Sequence, residues 1–70
     1  MRDKTKTLMG RKSLNAWIEY YDPAINAATR QLKREGISGA NQASLYKYEV
    51  MGKYCMSLEL DNVHKVEWCI

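Results

Sequence analysis

Seventy residues make one domain with a small core, and a chain this short is marginally stable unless packing is good or a partner helps. The formal charge of +3 is uneven: residues 1–35 carry eight Lys/Arg against four Asp/Glu, and residues 36–70 carry three against four. No segment approaches the length of a membrane span, and the N-terminus has charge without an apolar run behind it; with two cysteines, this sets the expectation of a cytoplasmic protein with reduced thiols.

Residues 1–12 lack a sustained hydrophobic period and read as a basic N-terminal arm, with Thr5, Thr7, Leu8 and Met9 able to form a short extended piece. Its cations are Arg2, Lys4, Lys6, Arg11 and Lys12. A basic arm can contact phosphate; the plain alternative is a solvated terminus.

A single domain is expected over 13–70. Ser13 is a candidate N-cap, because its hydroxyl can accept from an orphan N–H of a first helical turn. Leu14, Trp17, Ile18 and Tyr21 follow at i, i+3, i+4 and i+7, which places them on one helical face. The spacing predicts a helix over about 13–21. Asp22-Pro23 interrupts it, since the residue before Pro disfavours helical geometry, and Pro suits the first position of a new helix. A second helix is predicted over about 23–35, with Ile25, Ala28, Thr29 and Leu32 inward. Gly36 terminates it by accepting positive φ. Arg30, Lys33 and Arg34 in its last turns suit the negative end of the helix dipole; contact with phosphate is their functional reading. Residues 37–42 read as a loop.

From Ala43 onward the pattern changes to alternation. Tyr46, Tyr48, Val50, Tyr54, Met56, Leu58, Leu60, Val66, Trp68 and Ile70 occupy even positions, with mostly charged or small residues between them. Period two is the signature of strands with one buried face. Gly52 and Asp61-Asn62 mark reversals. The prediction is a three-stranded antiparallel meander over about 44–50, 54–60 and 64–70, joined by three-residue loops. That register pairs Val50 with Tyr54, Tyr48 with Met56, Tyr46 with Leu58, Leu58 with Val66, and Cys55 with Cys69. All even positions then share one face, roofed by the helices. The fold class is α+β.

Asp22-Pro23, the following helix, Gly36 and then Leu45, Val50 and Tyr54 loosely resemble the helix pair of ribbon-helix-helix repressors. That resemblance implies a DNA-reading dimer in which a strand precedes the first helix. It would make a strand of Leu14–Tyr21 against their helical spacing, bury Glu49, and leave Lys65–Ile70 without a place. The α+β meander is the expected fold.

Chemistry is sparse. Cys55 and Cys69 alternate away from His64, so the three do not converge as metal ligands, and a fourth is lacking. Directly opposed cysteines can form a disulfide if oxidised, although reduced thiols are expected. No Gly-rich phosphate loop precedes a helix, and no paired carboxylates stand at a catalytic spacing. No enzymatic activity and no cofactor are expected.

Two binding functions remain. The first is a small regulatory protein that contacts nucleic-acid phosphates through Arg2, Lys4, Lys6, Arg11, Lys12, Arg30, Lys33 and Arg34, with DNA and RNA not distinguished. The alternative is a protein-binding inhibitor or adaptor acting through a sheet edge or an aromatic surface. Residues 44–50 or 63–70 could add to a partner's sheet or pair in a homodimer.

Overall fold

The computed structural model describes residues 6–61 and 63–70. The elements run β1 (Thr7–Ser13), α1 (Leu14–Ile18), α2 (Pro23–Arg34), β2 (Gln42–Val50), β3 (Lys53–Glu59) and β4 (Lys65–Cys69). They build a four-stranded antiparallel sheet in the order β1-β2-β3-β4, with both helices packed on one face. The α+β class and the two helices agree with the sequence; the sheet has four strands where three were expected. Arg2 and Lys4 lie outside the described residues.

The additional strand comes from the arm. Thr7 to Ser13 pairs along β2, from Thr7 opposite Lys47 to Ser13 opposite Gln42, with an irregularity between Leu8 and Gly10. A bulge inserts one residue and shifts the alternation, so no period-two pattern runs through β1. Most of its side chains are also exposed. Both effects erase the hydrophobic signal that identifies a strand.

α1 is shorter than its apolar spacing predicts. The Ser13 hydroxyl accepts from Ala16 N–H at 3.3 Å, as expected of an N-cap. The first helical N–H groups find loop carbonyls: Leu14 donates to Asn41 O at 2.9 Å and Asn15 to Gly39 O at 3.0 Å. The helix ends at Ile18, so Tyr21 leaves the face it was expected to share and is 100% exposed. Leu14 and Trp17 stay buried, and the Trp17 indole N–H donates to Ala43 O at 3.0 Å.

α2 follows its sequence closely. Asp22 Oδ1 accepts from Ala24 and Ile25 N–H at 2.9 and 3.3 Å, and Pro23 opens the first turn. Ile25, Ala28, Thr29 and Leu32 are buried. Gly36 terminates the helix at φ 94°; Gly36 N–H donates to Lys33 O at 3.0 Å and Ile37 N–H to Leu32 O at 3.4 Å. Those two bonds are the pair a Schellman cap requires.

The β2–β3 register differs from the expected one. Met51 and Gly52 form a two-residue turn, both at positive φ (51° and 81°). Such turns match the right-handed twist of the flanking strands. Val50 therefore faces Lys53, Tyr48 faces Cys55, Tyr46 faces Ser57 and Leu45 faces Leu58. Opposed residues share a face, so odd-numbered Ala43 and Leu45 enter the core with Leu58, and Tyr46 and Tyr48 go to the other side. Val50 opposite Lys53 is tolerable because that end of the sheet is not core: Val50 is half-buried and Lys53 exposed. The β3–β4 register is the expected one, with Leu58 opposite Val66 and Cys55 opposite Cys69.

The core is Leu14, Trp17, Ile25, Ala28, Leu32, Ala43, Leu45 and Leu58, with Ile37, Met56, Leu60, Val66 and Trp68 packed around it. The opposite face has no helix over it, yet Ser44, Tyr48, Cys55 and Ser57 on it are buried. Cys55 and Cys69, expected as free thiols, are joined in a disulfide across β3 and β4. The predicted pairing brought them together; the expectation of reduced thiols does not hold for this structure.

Candidate functional site

Of the eight cations proposed for phosphate contact, those that are described do not form one surface. Of the six described, Lys6 lies on the helix-free face. Its Nζ donates to Glu59 Oε2 and sits 5.7 and 5.9 Å from the Tyr46 and Tyr48 ring centroids. Arg11 stands opposite Ser44 on that same face, whereas Lys12, opposite buried Ala43, turns to the helix side. There Lys12 Nζ lies 5.0 Å from the Trp17 ring and 4.7 Å from the Tyr20 ring. Cation–π contact of this kind holds a lysine against an aromatic wall. Lys33 Nζ donates to Asn15 Oδ1 at 3.2 Å. Arg30 and Arg34 are exposed, one turn apart on α2.

On the helix-free face a polar row accompanies the aromatics. Ser57 Oγ donates to Glu59 Oε2 at 2.7 Å, and Tyr48 OH donates to Glu67 Oε2 at 3.4 Å. Burial pushes the Glu59 carboxyl upward, but hydrogen bonds from Lys6 and Ser57 outweigh it, and the group titrates below its ordinary value. The bond to Glu59 raises Lys6 correspondingly. Burial, then the Glu67 charge, raises Tyr48. A carboxylate accepting from both an ammonium and a hydroxyl is stabilised in its charged form.

His64 is engaged in the β3–β4 turn. Asp61 Oδ1 accepts from Val63 and His64 N–H at 2.8 and 2.7 Å, and Asp61 Oδ2 lies 3.2 Å from His64 Nδ1. The backbone bonds from His64 and Val63 bring the Asp61 carboxyl down to about 2. Among the described residues, no group of three His, Cys, Asp or Glu is arranged to hold a metal ion. Among the described residues, no helix is long and apolar enough to cross a membrane.

The feature best formed for recognition is the β4 edge. The 44–50 edge expected to be open is occupied by β1, because the arm supplies the strand that the alternation did not reveal. β4 pairs on one side only among the described residues. Leu60 N–H donates to His64 O and Ile70 N–H to Tyr54 O. Antiparallel ladders alternate, so the even residues of β4 direct their backbone groups to β3, and Lys65, Glu67 and Cys69 direct theirs outward. Beside this edge runs a groove between α2 and β4, lined by Ala24, Ala27, Gln31, Val66 and Trp68 among others. The 63–70 edge was legible in the sequence. The groove was not: its floor is half-buried Val66 and Trp68, which alternation assigns wholly to core, and its wall is the small side chains of α2.

Comparison with protein-family models, with curated proteins and with solved structures found no match to this chain.

Proposed function

We propose that this chain is a non-enzymatic binding protein that takes an extended segment of a protein partner along β4. The outward N–H and C=O groups of Lys65, Glu67 and Cys69, beside an apolar groove, support this reading. An unpaired strand offers main-chain hydrogen bonds for affinity, and adjoining pockets for alternate side chains give specificity. Exposed Ile70 and half-buried Trp68 extend the apolar surface along the helix side of the edge.

The test uses Lys65→Pro. Lys65 is the first residue of β4, a position where Pro is tolerated in a strand, and the N–H it removes points away from β3. Wild-type and variant chains serve as baits in nuclease-treated lysate of the source cells. A protein held by the wild type, lost by the variant, and shifting the Lys65, Glu67 and Cys69 amides when added back supports the reading. Equal capture by both baits overturns it.

A second reading, contact with nucleic-acid phosphates, rests on Arg30 and Arg34. They stand exposed on α2, and among the described residues neither joins an ion pair. Such contact is sequence-tolerant and salt-dependent. Fluorescence anisotropy with a labelled duplex and a labelled single strand at low salt tests it: binding should weaken when Arg30 and Arg34 are both changed to Ala. Absence of binding to either ligand refutes it.

A further inference from the structure

We infer that the segment seated on β4 is β4 of a second copy of this chain, in one definite register. The inference rests on the reading of β4 as a docking edge and adds the identity of the occupant.

The backbone limits the choices. A twofold axis perpendicular to the sheet sets the two β4 strands antiparallel with both helix layers on the same side. Odd residues carry the outward hydrogen-bonding groups, so odd must pair with odd across the axis. Three registers place at least two residues of each strand in contact, centred on Val66, Glu67 or Trp68.

Charge separates them. Centring on Glu67 sets its carboxylate directly opposite its own symmetry mate, and like charges in direct opposition destabilise a strand pair. Centring on Trp68 leaves Lys65 without a partner in the second copy's β4 and sets Glu67 opposite Cys69. Centring on Val66 sets Lys65 opposite Glu67 of the second copy, and Glu67 opposite Lys65 of the second copy. Within its own sheet Lys65 already stands opposite Glu59. The Val66 register thus produces a row of Glu59, Lys65 and the second copy's Glu67 on the helix-free face, repeated by symmetry. Lys65 and Glu67 are both exposed in the single chain, Glu67 while accepting from the Tyr48 hydroxyl.

The other face agrees. Val66 meets Val66 of the second copy at the axis, and Trp68 lies opposite the second copy's His64. The α2 helices approach from both sides of the seam, each presenting Ala24 and Ala27, which are exposed and small. The product is a continuous eight-stranded sheet with the β4 edges closed against each other, one way natural sheets remove an exposed edge.

The experiment is a charge swap read by sedimentation equilibrium, with circular dichroism confirming that each variant is folded. The wild type should reach twice the chain mass as concentration rises. Lys65→Glu and Glu67→Lys should each weaken association at least tenfold. An equimolar mixture of the two should regain it, because every Lys then meets a Glu across the seam. Lys65→Pro should stay monomeric. A wild type that remains a single chain throughout overturns the inference; the docking reading then stands or falls separately on the capture experiment. A dimer indifferent to Lys65→Glu excludes the Val66 register and overturns it as well.

Discussion

Replacing Met51 by Asn should stabilise this protein, although it removes an apolar side chain. Met51 holds φ 51° at the first central position of the β2–β3 turn, and Gly52 follows at 81°. An L-residue in left-handed geometry carries a penalty of roughly 1–2 kcal/mol from contact between Cβ and the backbone. Asn tolerates that geometry, and Asn-Gly is a favoured pair for a turn with two positive φ values. The Met51 side chain is 96% exposed, so little packing is lost on replacement. The net gain should be about 1 kcal/mol, which for a domain of this size raises Tm by roughly 4–8 °C. Thermal and urea unfolding monitored by circular dichroism would measure it, with an unchanged m-value showing that the gain is in stability. Gly52→Ala is the companion measurement and should destabilise by about 1 kcal/mol, since Ala does not share the freedom of Gly at positive φ. If Met51→Asn leaves Tm unchanged or lowers it, Met51 is not in a left-handed turn, and the β2–β3 register built on that turn is wrong.

Leu58 is fully buried between Leu45 and Val66; Leu58→Ala should cost about 2–5 kcal/mol, and near-native thermal stability would contradict the assigned core. The disulfide closes a separation of 14 residues; reduction, or Cys55→Ser with Cys69→Ser, should lower stability by about 3 kcal/mol on loop-closure grounds, and a native thiol titration that finds both cysteines free would refute the bond. Asp61 titrates at about 2 in the folded chain, below its unfolded value of about 3.9. Its stabilising effect is therefore complete above that unfolded value and is lost as pH falls toward the folded one. Acid unfolding should show a loss over this window that Asp61→Asn flattens; an identical acid profile for the variant would remove Asp61 from that role.

The helices and the last two strands were legible because their determinants are local. Asp22-Pro23 and Gly36 bracket α2 through capping chemistry that neighbouring residues supply. The 61–63 turn carries Asp61, whose side chain makes the bonds that hold it. α1 was overextended because apolar spacing continues to Tyr21, although the residue before Pro23 is pushed out of helical geometry. β1 was expected only as a short extended piece around Thr7, Leu8 and Met9 and not as a strand of the sheet, because its bulge breaks the period and its partner is distant in sequence. The candidate edge was half legible: the 63–70 segment alternates, but only the position of β1 decides that β4 keeps a free side while β2 does not. The cations illustrate the same gap, since Arg11 and Lys12 are adjacent in sequence and sit on opposite faces of a sheet.

The β2–β3 error has a single physical origin, the parity of one turn. Side chains alternate as expected in both strands, but β2 turns its odd-numbered Ala43 and Leu45 to the core where its even-numbered residues were expected. A three-residue loop joins even to even, and a two-residue loop joins even to odd. Hydrophobicity favours the first, because it gathers Tyr46, Tyr48 and Val50 over Met56 and Leu58. Backbone twist and the available Gly52 favour the second. Its cost is small here because Tyr is amphipathic. Tyr48 can cover Cys55 on the helix-free face while its hydroxyl reaches Glu67, and Tyr46 can lie beneath the Lys6 ammonium. With Phe at either position the polar handle would be lost and the balance would shift toward the longer loop. The turn thus determines the contents of the face without a helix, aromatics over a polar row that ends at Lys65 and Glu67. The charge pattern offered at the β4 edge is set separately, by the β3–β4 register that places Lys65 opposite Glu59.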